Sequence, residues 1–218
     1  MTRPGTKAHL HRYLDFGRDA LLWKLDGLSE YDVRRPLTPT GTNLLGLVKH
    51  LSGVEAGYFG ETFGRPFPEP LPWITDDAED NADMWATPDE SREDILGLYG
   101  RVRAFADATI TELPLDAPGR VPWWPDDRAG VTLDAIIIHV TAEVHRHAGH
   151  ADVVRELIDG AVGMRVGREN MPSDDRNWWT DYRNRLEQAA KTAAAAAASS
   201  EAAVGPAGDD GAAPASDG

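Results

Sequence analysis

The chain has 218 residues, of which 41% are hydrophobic and 27% charged, with a formal net charge of −14 and no cysteine. That length suits one ordinary domain with residues to spare, and the balance is that of a soluble globular protein. The acidic excess argues against a row of phosphate contacts and hence against nucleic-acid binding, and the lack of cysteine excludes disulfides, thiolate ligands and a cysteine nucleophile.

The first ten residues are polar and carry His9 where a signal peptide would need an apolar run. No stretch approaches the roughly 20 apolar residues of a membrane span, so a cytoplasmic location is expected. The first helix is predicted over residues 7–27, with Leu10, Leu14, Ala20, Leu21 and Leu25 on its apolar side. The turn Pro39-Thr40-Gly41 precedes a second helix over residues 42–63. A long loop follows, holding Pro66, Pro68, Pro70 and Pro72. The third helix is predicted to open at Thr87-Pro88-Asp89-Glu90, with Thr87 as N-cap, Pro88 in the first turn and Glu90 completing a capping box, and to run to about Leu113. The fourth starts near Thr132 and ends at Gly160, a natural C-terminal cap. A fifth spans residues 174–190. No segment alternates with period two, so no sheet is expected.

From Ala189 the chain is nearly all Ala, Gly, Ser, Asp and Pro. The alanine run over residues 193–198 has the propensity to prolong the fifth helix, but the later glycines and prolines cannot bury enough apolar surface to offset their ordering entropy. The expected organisation is a helical bundle over residues 1–190 and a disordered tail over 191–218. Trp178 and Trp179, on the fifth helix, are candidates either for a homodimer contact or for packing over the bundle's side.

The sharpest chemical feature lies on the fourth helix. At about 100° per residue, His139, Glu143, His147 and His150 fall within about 80° of one another, and His145 points nearly the opposite way. Glu143 and His147 are four residues apart, the spacing that brings two side chains over one ion. On the second helix, His50 shares the inward face of Leu47, Val54 and Tyr58. Each feature alone also fits a blander role, a hydrogen-bonded core histidine in one case and a solvated polar face in the other. Together they offer two imidazoles and a carboxylate from facing helices, as metal-binding bundles do, and the residues by themselves leave the two readings level.

Two stretches carry a family resemblance: Pro36-Leu-Thr-Pro-Thr-Gly-Thr-Asn-Leu-Leu-Gly-Leu-Val-Lys-His50-Leu, and the run from Glu143 through His147 to Gly160. They resemble the DinB/YfiT-like metalloprotein superfamily, and within it the mycothiol S-transferase branch. The resemblance covers residues 12–189. It implies an all-α four-helix bundle of the DinB/YfiT type, here with an additional C-terminal helix, and a divalent metal ion, zinc above all, held by His50, Glu143 and His147. Many members have histidine at both positions of the last pair; glutamate at the first, as here, is similar to the mycothiol-dependent maleylpyruvate isomerases.

The implied activity is transfer of a low-molecular-weight thiol, mycothiol, to an electrophilic small molecule in detoxification. His150 is the candidate catalytic group beyond the metal ligands, orienting a ligand or relaying a proton, and a packing or solvent-exposed role is its alternative. Arg146 and Arg155 are candidates for binding the thiol's polar groups, or ordinary surface arginines. Trp73, Trp85, Trp123 and Trp124 lie in loops expected at the pocket mouth, as candidates for stacking on substrate, and Trp123 and Trp124, between Pro122 and Pro125, equally fit a plug at the end of the bundle. The rival readings are a metal-dependent hydrolase, a redox iron site with two histidines and one carboxylate, and a non-catalytic binding or stress-response protein.

Overall fold

The computed structural model describes residues 5–165, 167 and 170–204 and divides the chain into two compact units, Met1–Glu169 and Asn170–Gly218. The first unit is built on four long helices: α1 (Thr6–Trp23), α3 (Leu44–Phe59), α4 (Arg92–Glu112) and α5 (Leu133–Asp159), with a short α2 (Glu30–Arg34) between the first two. The architecture is the expected all-α bundle, with α1 packed on α5 and α3 packed on both α4 and α5.

Helix α3 is the central element. Leu44, Leu45, Leu47, Val48, Leu51 and Phe59 are all fully buried, and they meet Leu14 and Leu21 of α1 and Ile136, Val140 and Val144 of α5 in one continuous core. It starts where Asn43 caps it: the side-chain oxygen accepts a hydrogen bond from the Gly46 N–H at 2.8 Å. It stops at Gly60, after which one 3₁₀ turn, Glu61–Phe63, closes at Gly64 with φ 65°. The expected second helix therefore ends its α-helical part four residues early. Helix α1 likewise stops at Trp23 rather than Gly27, because its last turn tightens into i→i+3 bonds such as Asp26 N–H to the Trp23 carbonyl at 3.1 Å.

The start of α4 corrects the sequence expectation. Thr87 and Glu90 do form a reciprocal turn, with the Thr87 N–H donating to Glu90 Oε2 at 2.8 Å and the Glu90 N–H to the Thr87 carbonyl at 3.2 Å. The helix, however, begins one motif later. Ser91 is its N-cap, accepting from the Asp94 N–H at 3.0 Å while its hydroxyl donates to Asp94 Oδ2 at 2.6 Å. Two Ser/Thr-x-x-acid motifs stand in tandem, and Lys49, which donates to Glu90 Oε2 at 2.9 Å, holds the first in the loop.

A second correction is a two-stranded antiparallel ribbon, β1 (Pro118–Arg120) with β2 (Gly130–Thr132), pairing Gly119 with Val131. Three residues per strand are too few for an alternating pattern to be read from sequence. The ribbon leads into α5, which starts after Thr132 and ends at Gly160 in a left-handed conformation with φ 80°, both as expected.

In the second unit, α6 (Arg176–Val204) continues past Ala190 through the alanine run, in keeping with the propensity of that residue. Within it the Trp178 and Tyr182 rings stack with centroids 5.2 Å apart, and Trp179 packs edge-on against both. Of the disordered tail expected over residues 191–218, residues 191–204 lie within this helix and those beyond Val204 lie outside the described residues. No helix among the described residues is long and apolar enough to cross a membrane.

Candidate metal centre

His50 lies two turns into α3, where its neighbours fix the crossover loop between α3 and α4. Asn43 Nδ2 donates to the Met84 carbonyl at 3.1 Å, and Gly46 lets that carbonyl sit where a Cβ would come within 1.8 Å of it. Lys49, nearly buried, donates to the Trp85 carbonyl at 3.0 Å and stands 4.7 Å from the centre of the Trp73 ring. These anchors bracket Asp83, whose Oδ2 lies 2.6 Å from His50 Nδ1. With Nδ1–H donating to the carboxylate, the lone pair of the imidazole is on Nε2. That Nε2 is 4.0 Å from Glu143 Oε1 on α5.

Glu143 and His147 meet across one turn of α5, with Oε1 and Nε2 3.2 Å apart, and the His50 and His147 rings approach edge to face at 4.8 Å between centroids. The three ligand atoms all lie within 4.8 Å of one another. For a tetrahedral zinc with bonds near 2.05 Å, donors stand about 3.3 Å apart, so small side-chain shifts suffice for all three to reach one ion. Two imidazole nitrogens and a carboxylate oxygen are the donor chemistry a borderline-soft divalent cation takes. His147 is prepared for this: burial, and next the neighbouring His50, hold its imidazolium below the usual histidine range despite the opposing pull of Glu143, leaving the neutral form that can ligate.

A second group, His11, Asp15 and Asp107, also brings its ligand atoms within 4.8 Å of one another. There the positive charge is already supplied by the protein. Arg18 Nη1 donates to Asp15 at 3.0 Å and Asp107 at 2.7 Å, while its Nε and Nη2 hold the fully buried Glu55. Tyr99 completes this network by donating to Glu55 Oε1 at 2.9 Å. The group reads as a structural ion pair joining α1, α3 and α4.

The remaining candidates separate cleanly. His150 Nδ1 sits 3.4 Å from His147 Nδ1, on the side of that ring away from Glu143. His139 lies one turn before Glu143 and packs against Tyr58 at 4.7 Å and Trp124 at 5.2 Å between ring centroids. His145 faces α1, with Nε2 2.9 Å from the Tyr13 carbonyl. Arg155 is occupied by Asp159 and by the carbonyls of Lys24 and Asp26, so it serves the fold, and Arg146 is an exposed surface residue. Trp124 Nε1–H donates to the Tyr58 hydroxyl at 3.1 Å, and Trp123 stacks edge-on against Tyr58 at 5.1 Å. A cavity of about 650 Å³ opens from His50 and Glu143, walled by Val54, Tyr58, Ile74 and Trp123. Of the four loop tryptophans, Trp123 lines it. Asp83 is the partner of His50 that the sequence did not reveal, since an aspartate in an irregular loop carries no periodic signal.

The family model for mycothiol-S-transferases matches residues 9–160. The chain belongs to the mycothiol-S-transferase family. The match runs from within α1 through the other three bundle helices, includes His50, Asp83, Glu143 and His147, and ends at the C-cap of α5. No curated protein matches the chain. A family of transferases of this name acts on a thiol and a small molecule, which accords with a site that is an open cavity rather than a closed shell of ligands.

Proposed function

We propose that the chain is a divalent-metal-dependent thiol S-transferase that joins mycothiol to an electrophilic small molecule, with zinc held by His50, Glu143 and His147. The observation that carries this reading is the convergence of the three donors, two of which, His50 and Glu143, line a cavity large enough for a small organic substrate. Three protein ligands leave coordination positions for substrate, which a closed structural site would not. A divalent cation bound there supplies positive charge that favours thiolate over thiol, and the thiolate is the nucleophilic form.

The protein's own groups set the geometry around that sulfur. Asp83 orients His50 through Nδ1, and His150, against the outer nitrogen of His147, serves as a positioning residue for that ligand rather than touching substrate. Tyr58, Trp123 and Val54 give the electrophile an apolar wall. His139 borders the same cavity.

The test is a conjugation assay of zinc-loaded protein with monochlorobimane and, in turn, mycothiol, bacillithiol and glutathione. The expected result is a mycothiol-dependent rate above the uncatalysed one that vanishes on chelation and returns with zinc. Absence of thiol-dependent product with all three thiols would overturn the reading, and metal-dependent ester or amide hydrolysis in its place would point to water as the nucleophile.

A further inference from the structure

The cavity at the metal-ligand cluster does not end at its apolar wall. A second cavity of about 430 Å³ adjoins it, and the two share Gly57, Glu61, Ile74 and Asp76. The result is a bipartite cleft, large enough for two substrates side by side, with one compartment at His50 and Glu143 and the other over Phe67 and Leu71. This division suits a two-substrate reaction.

The charge of the lining is one-sided. Among the described residues neither compartment is lined by lysine or arginine, whereas five carboxylates line them: Glu61, Glu69, Asp76, Asp83 and Glu143. Three of the five are accounted for. Asp83 is bound to His50, Glu143 to His147, and Glu69 takes two hydrogen bonds from Arg101 at 2.7 and 2.9 Å. Glu61 and Asp76, on the boundary shared by both compartments, form no ion pair or side-chain hydrogen bond among the described residues. A cation at the ligand cluster would offset charge at the inner end only, leaving these two to set the potential where the body of each substrate must lie.

Resting on the thiol-transferase reading, we propose that Glu61 and Asp76 make the cleft charge-selective. It admits a thiol and an electrophile that are uncharged or cationic and rejects those bearing carboxylates. Two like charges about 4 Å apart in water-like surroundings weaken binding about fivefold, and the repulsion grows as substrate displaces water. Both residues are exposed, so the selection weakens with added salt. The residues act by binding, because no proton or bond is transferred at either carboxylate.

The experiment compares two unreactive ligands of opposite net charge, S-methylglutathione and its diethyl ester, titrated by calorimetry into zinc-loaded full-length protein; the salt series and the double variant separate the charge effect from that of the ester's added ethyl groups. Because neither carries a free thiol, binding is measured apart from any transfer chemistry. The ester is expected to bind at least about fivefold more tightly at low ionic strength. The ratio should fall toward unity in 0.5 M sodium chloride and in the double variant Glu61→Gln/Asp76→Asn, whose folding is checked by its far-UV spectrum against that of the wild type. Equal or tighter binding of the free acid, failure of the ester to bind, or a ratio unaltered in the double variant would each overturn the proposal. If the ester is preferred but no thiol is ever conjugated, the transferase reading fails and the charge selection stands. Conjugation of glutathione and its diethyl ester with equal efficiency would sink the selection and leave the transferase reading intact.

Discussion

Removing the carboxylate of Asp83 should loosen the metal without loosening the bundle. In the folded protein His50 Nδ1 and Asp83 Oδ2 are 2.6 Å apart, a short charge-assisted contact that fixes both the tautomer and the ring plane. In Asp83→Ala the imidazole is free to carry its proton on Nε2 or to turn away from Glu143. Loss of such an outer partner costs about 10- to 100-fold in metal affinity, or roughly 1.4 to 2.7 kcal/mol. The Asp83 side chain is 25% exposed, so water can replace part of what is lost and the lower end, about tenfold, is expected. Asp83→Asn keeps an acceptor but no charge and should fall between wild type and alanine. The assay is zinc competition against a chromophoric chelator, with far-UV circular dichroism as the check on folding. An Asp83→Ala protein that binds zinc within about twofold of wild type would refute the argument that this loop residue orients His50.

Elsewhere, Glu55→Ala should destabilise the protein by about 3 kcal/mol in urea unfolding, because it leaves the buried Arg18 guanidinium and Tyr99 hydroxyl without their shared partner. A loss under about 1 kcal/mol would mean Asp15 and Asp107 suffice for Arg18. Gly46→Ala should cost about 1 to 3 kcal/mol and weaken zinc binding as well, since the new Cβ would collide with the Met84 carbonyl and push away the loop that carries Asp83. Unchanged zinc affinity in that variant would detach the loop from the site. Deleting residues 193–218 should leave the thermal midpoint nearly unchanged, because apart from alanine the segment holds a single apolar side chain, Val204. A drop of several degrees would mean that the segment contributes to the folded domain rather than being dispensable.

What could be read from sequence was whatever is governed by local chemistry. Gly160 ends α5 because a left-handed C-cap needs no partner beyond its own helix, and the stripe from His139 to His150 follows from helical spacing alone. The convergence of His50 with that stripe needed the family resemblance, since periodicity places His50 on an inward face but not opposite a given residue. The start of α4 was misplaced because Thr87–Glu90 and Ser91–Asp94 offer the same local signal, and a tertiary contact from Lys49 decides between them. Asp83 was invisible for a related reason. Its position is set by Asn43, Gly46 and Lys49, all on another element, and nothing in the loop's own residues announces it. The ribbon β1–β2 was too short for its period to register.

The central claim is that His50, Glu143 and His147 hold one divalent ion, and metal analysis of purified variants tests it most directly. His147→Ala leaves only two protein ligands, too few to compete with buffer for the ion, while the core of leucine, isoleucine and valine stays intact. His50→Ala should behave in the same way despite its distance along the chain, and Glu143→Gln should weaken binding by removing the ligand's charge. His145→Ala is the control, because that side chain meets the Tyr13 carbonyl on α1 and its loss costs some stability but no metal. Wild type and His145→Ala carrying near-stoichiometric zinc, with His147→Ala and His50→Ala nearly metal-free and still helical, is the predicted result. Metal retained by His147→Ala and lost from His145→Ala would contradict the site and the chemistry built on it.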